Sequence, residues 1–215
     1  RIQAILTHLK DAGIIAILRG QNRSRMIERG IALSEMGCKA IEVTLDSPDA
    51  LEIVDTLRKK LPDSVMVGVG TLTDLNLIDD CIHAGAEYAL SPIHPQGMIQ
   101  QCQAANLLAI PGVSNIQELE DAISEGARIA KLFPSTEWNP EHIPKQTIPW
   151  MPVGGVDSQN IWQWLDVGAW CVGMGSNLCG SDLNDDSKDS TSWVDSEEQV
   201  ARGMFKELQR RRNDA

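Results

Sequence analysis

Hydrophobic and polar positions follow a repeated order along this chain: a stretch of helical period ends at a glycine, and a short apolar run follows. Gly13 precedes IIAIL in this way, and Gly37 precedes CKAIEVTL. A glycine just past a helix end supplies a left-handed C-cap, and short apolar runs suit strands covered on both faces. The pattern predicts strands that begin at Ile14, Ala40, Met66, Tyr88, Leu108, Ile129, Met151 and Cys171.

Eight successive β–α units predict an α/β fold, a parallel (β/α)8 TIM barrel. The amphipathic segment RIQAILTHLKDAG predicts one more helix at the N-terminus and does not resemble a signal peptide. A doubly wound open sheet is the alternative. Such sheets usually have about five to seven strands, and the first strand here lacks the G-x-G-x-x-G turn. We expect one domain over residues 1–215.

Two segments depart from the regular repeat. Prolines 140, 144 and 149 leave space for one or two helical turns, so a short helix is predicted within residues 136–151. Residues 181–198 hold seven acidic residues and one lysine, which is typical of a solvated acidic loop. A C-terminal helix is predicted over residues 194–212.

Two ionisable residues stand inside otherwise apolar strands. Glu42 lies in AIEVT of the second predicted strand, and Lys131 lies in IAKLF of the sixth. Alternation along a strand places Glu42 on the inner side of the barrel, and Lys131 is expected there too. Both strands are even-numbered, and barrel interiors are filled in layers drawn from alternate strands, so the two side chains can face each other.

A lysine and a carboxylic acid in a poorly hydrated site allow a specific chemistry. Desolvation lowers the pKa of a lysine, whose neutral amine attacks carbonyl carbons and forms a Schiff base. A carboxylic acid in the same site can transfer protons. The pair therefore suffices for an aldolase that needs no metal. A structural Lys131–Glu42 ion pair is the alternative, and from the strands alone both interpretations stay open.

Paired small residues follow the last two predicted strands. Gly154 and Gly155 follow the seventh strand, and Gly175 and Ser176 follow the eighth. Backbone N–H groups without side-chain cover can bind phosphate, and barrels often bind phosphate at this position. Tight βα turns are the alternative explanation.

Arg19, after the first strand, can bind a carboxylate with two parallel hydrogen bonds. Thr71, after the third strand, can add a hydroxyl contact. Without such a site, Arg19 is a surface cation and Thr71 a loop residue.

Composition excludes several partners and cofactors. The formal net charge of −11 argues against nucleic acid and anionic membranes. The acidic loop contributes −6 of it, so the charge does not describe the barrel mouth, which holds Arg19 and Lys131. The four histidines do not cluster at ligand spacing, so no metal is expected. The five cysteines are odd in number and include no C-x-x-C, which predicts reduced core thiols and a cytoplasmic protein.

Eight segments together resemble the KDPG/KHG aldolase family, class I aldolases that act on 2-keto-3-deoxy-6-phospho-sugar acids. The resemblance is collinear over about residues 10–180, and the combination of EVTL with KLFP is its most specific part. The segments are IAILRG (15–20), IEVTLDSP (41–48), GVGTLTD (68–74), LSP (90–92), IPGVSN (110–115), AKLFPS (130–135), PVGGV (152–156) and GMGSNL (173–178).

The resemblance implies a role for each matched residue. Lys131 would be the Schiff-base lysine and Glu42 the general acid/base. The substrate would be bound by Arg19, Thr71, Pro92, Pro111 and Phe133. Its phosphate would be bound by Gly154, Gly155, Gly175 and Ser176. The substrate would be a phosphorylated keto acid cleaved to pyruvate and D-glyceraldehyde 3-phosphate, with no cofactor, by a homotrimer.

The sequence also departs from the family pattern. Gluconate-type members have a basic residue where this chain has Asp46, and PTGG where it has Val153. The forms LDSP and VGGV are closer to the phosphogalactonate-type members, so the epimer preference stays open. Two other functions also stay open: another phosphate-binding barrel enzyme, such as a phosphosugar isomerase, and a non-catalytic barrel altered at 136–151.

Overall fold

The strands form as the apolar pattern predicts. The structure, a computed structural model, describes residues 1–143, 148–184 and 193–214. Five strands begin at the predicted residue, and the other three begin one residue away, at Ala130, Trp150 and Val172. The strands are β1 Ile14–Leu18, β2 Ala40–Thr44, β3 Met66–Gly70, β4 Tyr88–Leu90, β5 Leu108–Ile110, β6 Gly112–Val113, β7 Ala130–Leu132, β8 Trp150–Pro152 and β9 Val172–Met174.

In the described residues, α-helices connect consecutive strands except between β5 and β6 and between β7 and β8; one helix precedes β1 and two follow β9. The first is the predicted N-terminal helix, which ends at Gly13 with φ of 67°. The helices are α1 Ile2–Ala12, α2 Arg23–Glu35, α3 Ala50–Lys60, α4 Ile78–His83, α5 Met98–Ala104, α6 Ile116–Ser124, α7 Ile161–Asp166, α8 Ser176–Cys179 and α9 Asp195–Asn213. Single 3-10 turns cover Leu75–Leu77, Ser135–Glu137, Pro140–His142 and Asp182–Asn184.

All strand pairs are parallel, and the strands close into the predicted (β/α)8 barrel. Six strands pair in the order β5-β4-β3-β2-β1-β9, and three in the order β6-β7-β8. A parallel bridge between Val153 and Gly173 joins β8 to β9. The fifth barrel strand is divided into β5 and β6 at Pro111, because proline has no N–H to donate to a neighbouring strand. The Pro111 carbonyl still accepts from Lys131 N at 2.8 Å.

Two apolar layers determine which end of the barrel is closed and which is open. One lies between the strands and the surrounding helices. The other fills the interior, where α1 contributes Ile5, Leu6 and Leu9. These side chains pack with residues near the start of the strands, such as Ile15, Ala40, Tyr88, Leu108 and Ile129. Helix α1 therefore closes the N-terminal end, and a cavity forms at the carboxyl ends of the strands.

The two irregular segments partly match their predictions. Two 3-10 turns replace a full helix between Ser135 and His142, as the prolines predict, while residues 144–147 lie outside the described residues. Helix α9 begins at Asp195, one residue later than predicted. Of the acidic loop, residues 185–192 lie outside the described part. Among the described residues, no helix has the length and apolar character needed to cross a membrane.

Candidate active site

A cavity of about 280 Å³ opens at the carboxyl ends of the strands. It brings together nine of the eleven residues that the sequence singles out as site residues. They are Arg19, Glu42, Thr71, Pro92, Lys131, Phe133, Gly154, Gly175 and Ser176. The remaining wall residues are Ile17, Val153, Cys179, Gly180, Leu183 and Asn184.

Lys131 lies in the middle of β7, where its neighbours in register are Gly112 and Met151. The residue is 5% exposed, and its Nζ lies 4.6 Å from the centre of the Phe133 ring. Burial lowers the pKa of the Lys131 ammonium, the nearby Arg19 lowers it further, and Glu42 opposes the shift. The surroundings therefore increase the fraction of neutral, nucleophilic amine relative to an exposed lysine.

Glu42 lies in the middle of β2 and is 1% exposed. Its Oε2 atom has no hydrogen-bond partner within the described residues. Burial raises the pKa of the Glu42 carboxyl group, although Lys131 and Arg19 act in the opposite direction. No ion pair within 4.0 Å joins Glu42 to Lys131 in the described structure. Both groups are therefore available to contact a bound molecule. The missing contact between them argues against a closed structural ion pair.

Arg19 is held at the cavity mouth by three side chains. Its Nε donates to Thr44 Oγ1 at 3.4 Å and lies 3.5 Å from Asp46 Oδ1, and its Nη2 donates to Thr71 Oγ1 at 3.0 Å. Thr71 adopts a left-handed conformation, φ 59°, which is rare for a β-branched residue and concentrates at functional sites. The guanidinium remains half-exposed, so it is open to an anion.

Three side chains donate hydrogen bonds to carbonyl groups of the β8–α7 loop. Ser135 Oγ donates to Gly154 O, Asn160 Nδ2 to Gly155 O at 2.8 Å, and Asn177 Nδ2 to Val156 O at 3.0 Å. In the described structure, the backbone N–H groups of Gly154, Gly155, Gly175 and Ser176 donate to no other group. Unpaired N–H groups beside a cavity suit an anion.

The sequence and the fold have counterparts among known proteins. The family model for KDPG and KHG aldolase matches residues 5–192. The chain belongs to this family. The 2-dehydro-3-deoxy-6-phosphogalactonate aldolase of Escherichia coli strain K12 is 28% identical over 171 residues, which are 77% of this chain and 83% of that enzyme.

Two solved structures share the fold. A native KDPGal structure, 25% identical, covers 94% of this chain and 96% of its own with a TM-score of 0.77. The KDPG aldolase of Legionella pneumophila, 23% identical, covers 94% of this chain and 95% of its own with a TM-score of 0.74. In that structure, pyruvate is captured as a covalent carbinolamine intermediate.

Two expected substrate contacts do not line the cavity of this family member. Pro111 lies in the wall of the barrel, where its carbonyl group accepts from the backbone of Lys131. Gly155 is exposed just beyond Gly154, and its carbonyl group is bound by Asn160. Both residues shape the backbone beside the site without forming its surface.

The start of the predicted acidic loop is only partly solvated: Ser181 and Asn184 are exposed, but the prediction is wrong for the two residues between them. Leu183 is buried, and Asp182 forms an ion pair with Arg29 of α2 in which both side chains are largely buried. Sequence reasoning missed the cavity wall that runs from Cys179 to Asn184, because the acidic residues that follow dominate the pattern. Leu183, an apolar residue among polar neighbours, was the available signal.

Within the described residues, no group of three or more His, Cys, Asp or Glu side chains could hold a metal ion.

Proposed function

We propose that this chain is a class I aldolase that reversibly cleaves a 2-keto-3-deoxy-6-phosphoaldonate, of the gluconate or galactonate type, to pyruvate and D-glyceraldehyde 3-phosphate. The observation that carries the proposal is the buried pair: the Lys131 amine and the Glu42 carboxyl group line one cavity, and Glu42 Oε2 has no hydrogen-bond partner among the described residues. The family to which the chain belongs supports this chemistry.

Lys131 supplies the nucleophile. Its Nζ attacks the C2 carbonyl carbon of the keto acid and forms a carbinolamine, which loses water to give an iminium ion. The iminium accepts the electron pair of the C3–C4 bond as that bond breaks, so that an enamine of pyruvate remains on the lysine. Protonation at C3 and hydrolysis then release pyruvate and restore the amine.

Glu42 transfers the protons. As an acid it assists the loss of water from the carbinolamine, and as a base it takes the C4 hydroxyl proton while the C3–C4 bond breaks. The raised pKa of Glu42 suits both steps, because the group can be protonated in one and ionised in the other.

The two ends of the substrate meet different parts of the cavity. Arg19 and Thr71 bind the carboxylate, since the half-exposed Arg19 guanidinium lines the cavity and can donate to a carboxylate. The unpaired N–H groups of Gly154, Gly175 and Ser176 bind the phosphate. Pro92 and Phe133 contact the carbon chain between these ends.

We also propose a homotrimer that works in the cytoplasm. The family resemblance supports the trimer, and sedimentation velocity of the purified chain tests it. All five cysteines are buried free thiols, which supports a reducing compartment.

Borohydride reduction in the presence of pyruvate tests the proposed chemistry. We expect a reduced pyruvate adduct on a single residue, Lys131, and loss of both the adduct and cleavage in Lys131→Arg. Lys59→Arg is the matched control, because Lys59 is an exposed lysine on α3. Full activity in Lys131→Arg would exclude the Schiff-base mechanism. Pyruvate release from the two epimeric substrates, measured side by side, identifies the preferred sugar acid.

A further inference from the structure

A buried cation on α2 has no part in the proposed reaction. Arg29 is 5% exposed and does not line the cavity. Its Nη2 donates to both carboxylate oxygens of Asp182, at 2.9 and 2.8 Å, and its Nη1 donates to the carbonyl group of Cys179. The guanidinium also lies 4.3 Å from the centre of the Trp193 ring. Its hydrogen bonds therefore converge on the segment 179–184, which begins at the last residue of α8.

That segment is one wall of the active-site cavity. Cys179, Gly180, Leu183 and Asn184 all line the cavity, directly after Gly175 and Ser176. Helix α8 has only four residues and is held internally by bonds such as Cys179 N to Gly175 O at 2.8 Å. A single helical turn has little stability of its own, so tertiary contacts must fix its position. Arg29 binds its last carbonyl, where a cation is favourable.

Arg29 and its partners pack closely against Gly180, a residue of this wall. The residue has φ of 84°, a conformation that favours glycine. A Cβ atom here would lie 2.5 Å from Arg29 Nη1, 2.8 Å from Trp193 Nε1 and 2.9 Å from Asp182 Oδ1. The guanidinium, the indole and the carboxylate thus pack against the backbone of a cavity residue.

The far end of the wall is also fastened to the region of α2. Leu183 O accepts from Gln21 N at 2.9 Å and from Asn22 N at 3.4 Å, in the loop that follows Arg19. The side of the wall away from the cavity is thus bound to α2 and the residues before it, and Arg29 makes the buried, charged part of this attachment.

We propose that Arg29 is a positioning residue for the phosphate end of the site. It holds the segment 179–184, and through α8 it fixes the backbone N–H groups of Gly175 and Ser176 without touching the substrate. The inference rests on the proposed function. Loosening the Arg29 contacts weakens binding of the phosphate group and leaves Schiff-base formation unchanged at Lys131, which lies on β7 and is separated from β9 by β8.

Arg29→Lys tests the inference, because lysine keeps the charge but cannot bind Asp182, Cys179 and Trp193 together. We expect KM for the phosphorylated substrate to rise about tenfold, since charge-assisted hydrogen bonds are lost, while kcat stays near the wild-type value. Inhibition by inorganic phosphate weakens in parallel. The rate of pyruvate trapping by borohydride and turnover of the unphosphorylated sugar acid stay unchanged. Asp182→Asn, a milder change in the same pair, gives the same effects to a smaller extent.

Arg58→Lys is the matched control for a general loss of stability. Arg58 also binds a carbonyl group, Val65 O at 2.8 Å, and a carboxylate, Glu87 at 3.4 Å, but at the start of β3, far from the phosphate end. An unchanged KM in both Arg29→Lys and Asp182→Asn would overturn the inference. Equal losses for phosphorylated substrate and pyruvate trapping would also overturn it. Failure of the wild-type protein to trap pyruvate would instead contradict the proposed function.

Discussion

The carboxyl group of Glu42 lies directly against the Cα of Gly70, and a Cβ at position 70 would overlap Oε1. The two residues stand on neighbouring strands, β2 and β3, both on the inner side of the barrel. Glycine at 70 therefore gives Glu42 the space in which it extends toward the cavity. Gly68 likewise leaves space for Tyr88. The Tyr88 ring covers Gly68, and its hydroxyl donates to Ile41 O at 2.7 Å.

Gly70→Ala should reduce catalysis more than stability. The added methyl group meets the end of a flexible side chain, so the carboxyl group moves and the fold remains. We expect kcat to fall by about 10² to 10⁴, the usual contribution of a general acid/base. Steady-state kinetics and urea denaturation of the same preparation measure both effects.

Gly68→Ala and Gly203→Ala are the comparisons for this experiment. At 68 the methyl group meets the Tyr88 ring and a backbone oxygen, so we expect a loss of about 1–3 kcal/mol in the free energy of unfolding. At 203, in α9, nothing lies within 4 Å, and alanine should leave activity unchanged. Wild-type kcat in Gly70→Ala would show that the position of Glu42 is unimportant.

The charges around Lys131 predict opposite pH shifts in two variants. Burial lowers the pKa of the Lys131 ammonium, Glu42 raises it, and Arg19 lowers it. The neutral amine, which reacts, accumulates as the pH rises through this pKa. Glu42→Gln removes the group that raises the pKa, so the midpoint of reactivity moves to lower pH. Arg19→Met removes a group that lowers the pKa, so the midpoint moves to higher pH.

Reductive alkylation by a small aldehyde and borohydride measures these midpoints. An aldehyde without a carboxylate avoids any effect of Arg19 on substrate binding. Asp55→Asn is the control: it removes a half-exposed carboxylate on α3 and should leave the midpoint in place. Shifts in the same direction for Glu42→Gln and Arg19→Met would contradict the arrangement of charges described above.

The strands and the buried pair could be predicted because both depend on local order. Apolar runs between glycine-capped helices mark strands, and alternation within β2 and β7 turns Glu42 and Lys131 inward. The interruption of the fifth strand at Pro111 is also a local feature, but the position of Pro111 relative to the cavity depends on a distant strand. Only the pairing with β7 shows that Pro111 stays in the barrel wall instead of entering the cavity.

The wall from Cys179 to Asn184 could not be predicted, because it depends on a contact between distant parts of the chain. Arg29 and Asp182 are 153 positions apart, and each looks like a surface charge in its own segment. The contact between Asp46 and Arg19 could not be predicted for the same reason. The family pattern marks Asp46 as unusual, but only the structure shows that it lies beside Arg19.

Asp46→Asn should strengthen binding of the pyruvate carboxylate. Asp46 Oδ1 lies 3.5 Å from Arg19 Nε, so its charge competes with a carboxylate for the guanidinium. Both side chains are about half-exposed, and the pair should contribute no more than about 1 kcal/mol to the free energy of unfolding. We expect Kd for pyruvate to fall about two- to fivefold at low salt, with a smaller change at high salt because ions screen the charge.

Tryptophan fluorescence at two ionic strengths can follow this binding. Asp55→Asn is again the control, because it removes an acidic charge on α3 that pairs with Lys59. Unchanged affinity at low salt would mean that Asp46 does not compete for Arg19. A different ratio of cleavage rates for the gluconate and galactonate epimers in Asp46→Asn would place the epimer preference at this residue.

Leu9→Ala should destabilise the fold without changing the site. Leu9 of α1 is fully buried and packs into the closed end of the barrel, opposite the cavity. Removal of its side chain should cost about 2–5 kcal/mol, the transfer free energy plus the remaining cavity. Thr7→Ala, exposed on the same helix, should change stability by less than about 0.5 kcal/mol. Urea denaturation measures both, and at low temperature KM and kcat of the folded Leu9→Ala protein should equal those of wild type. A raised KM there would show that α1 influences the cavity through the barrel core.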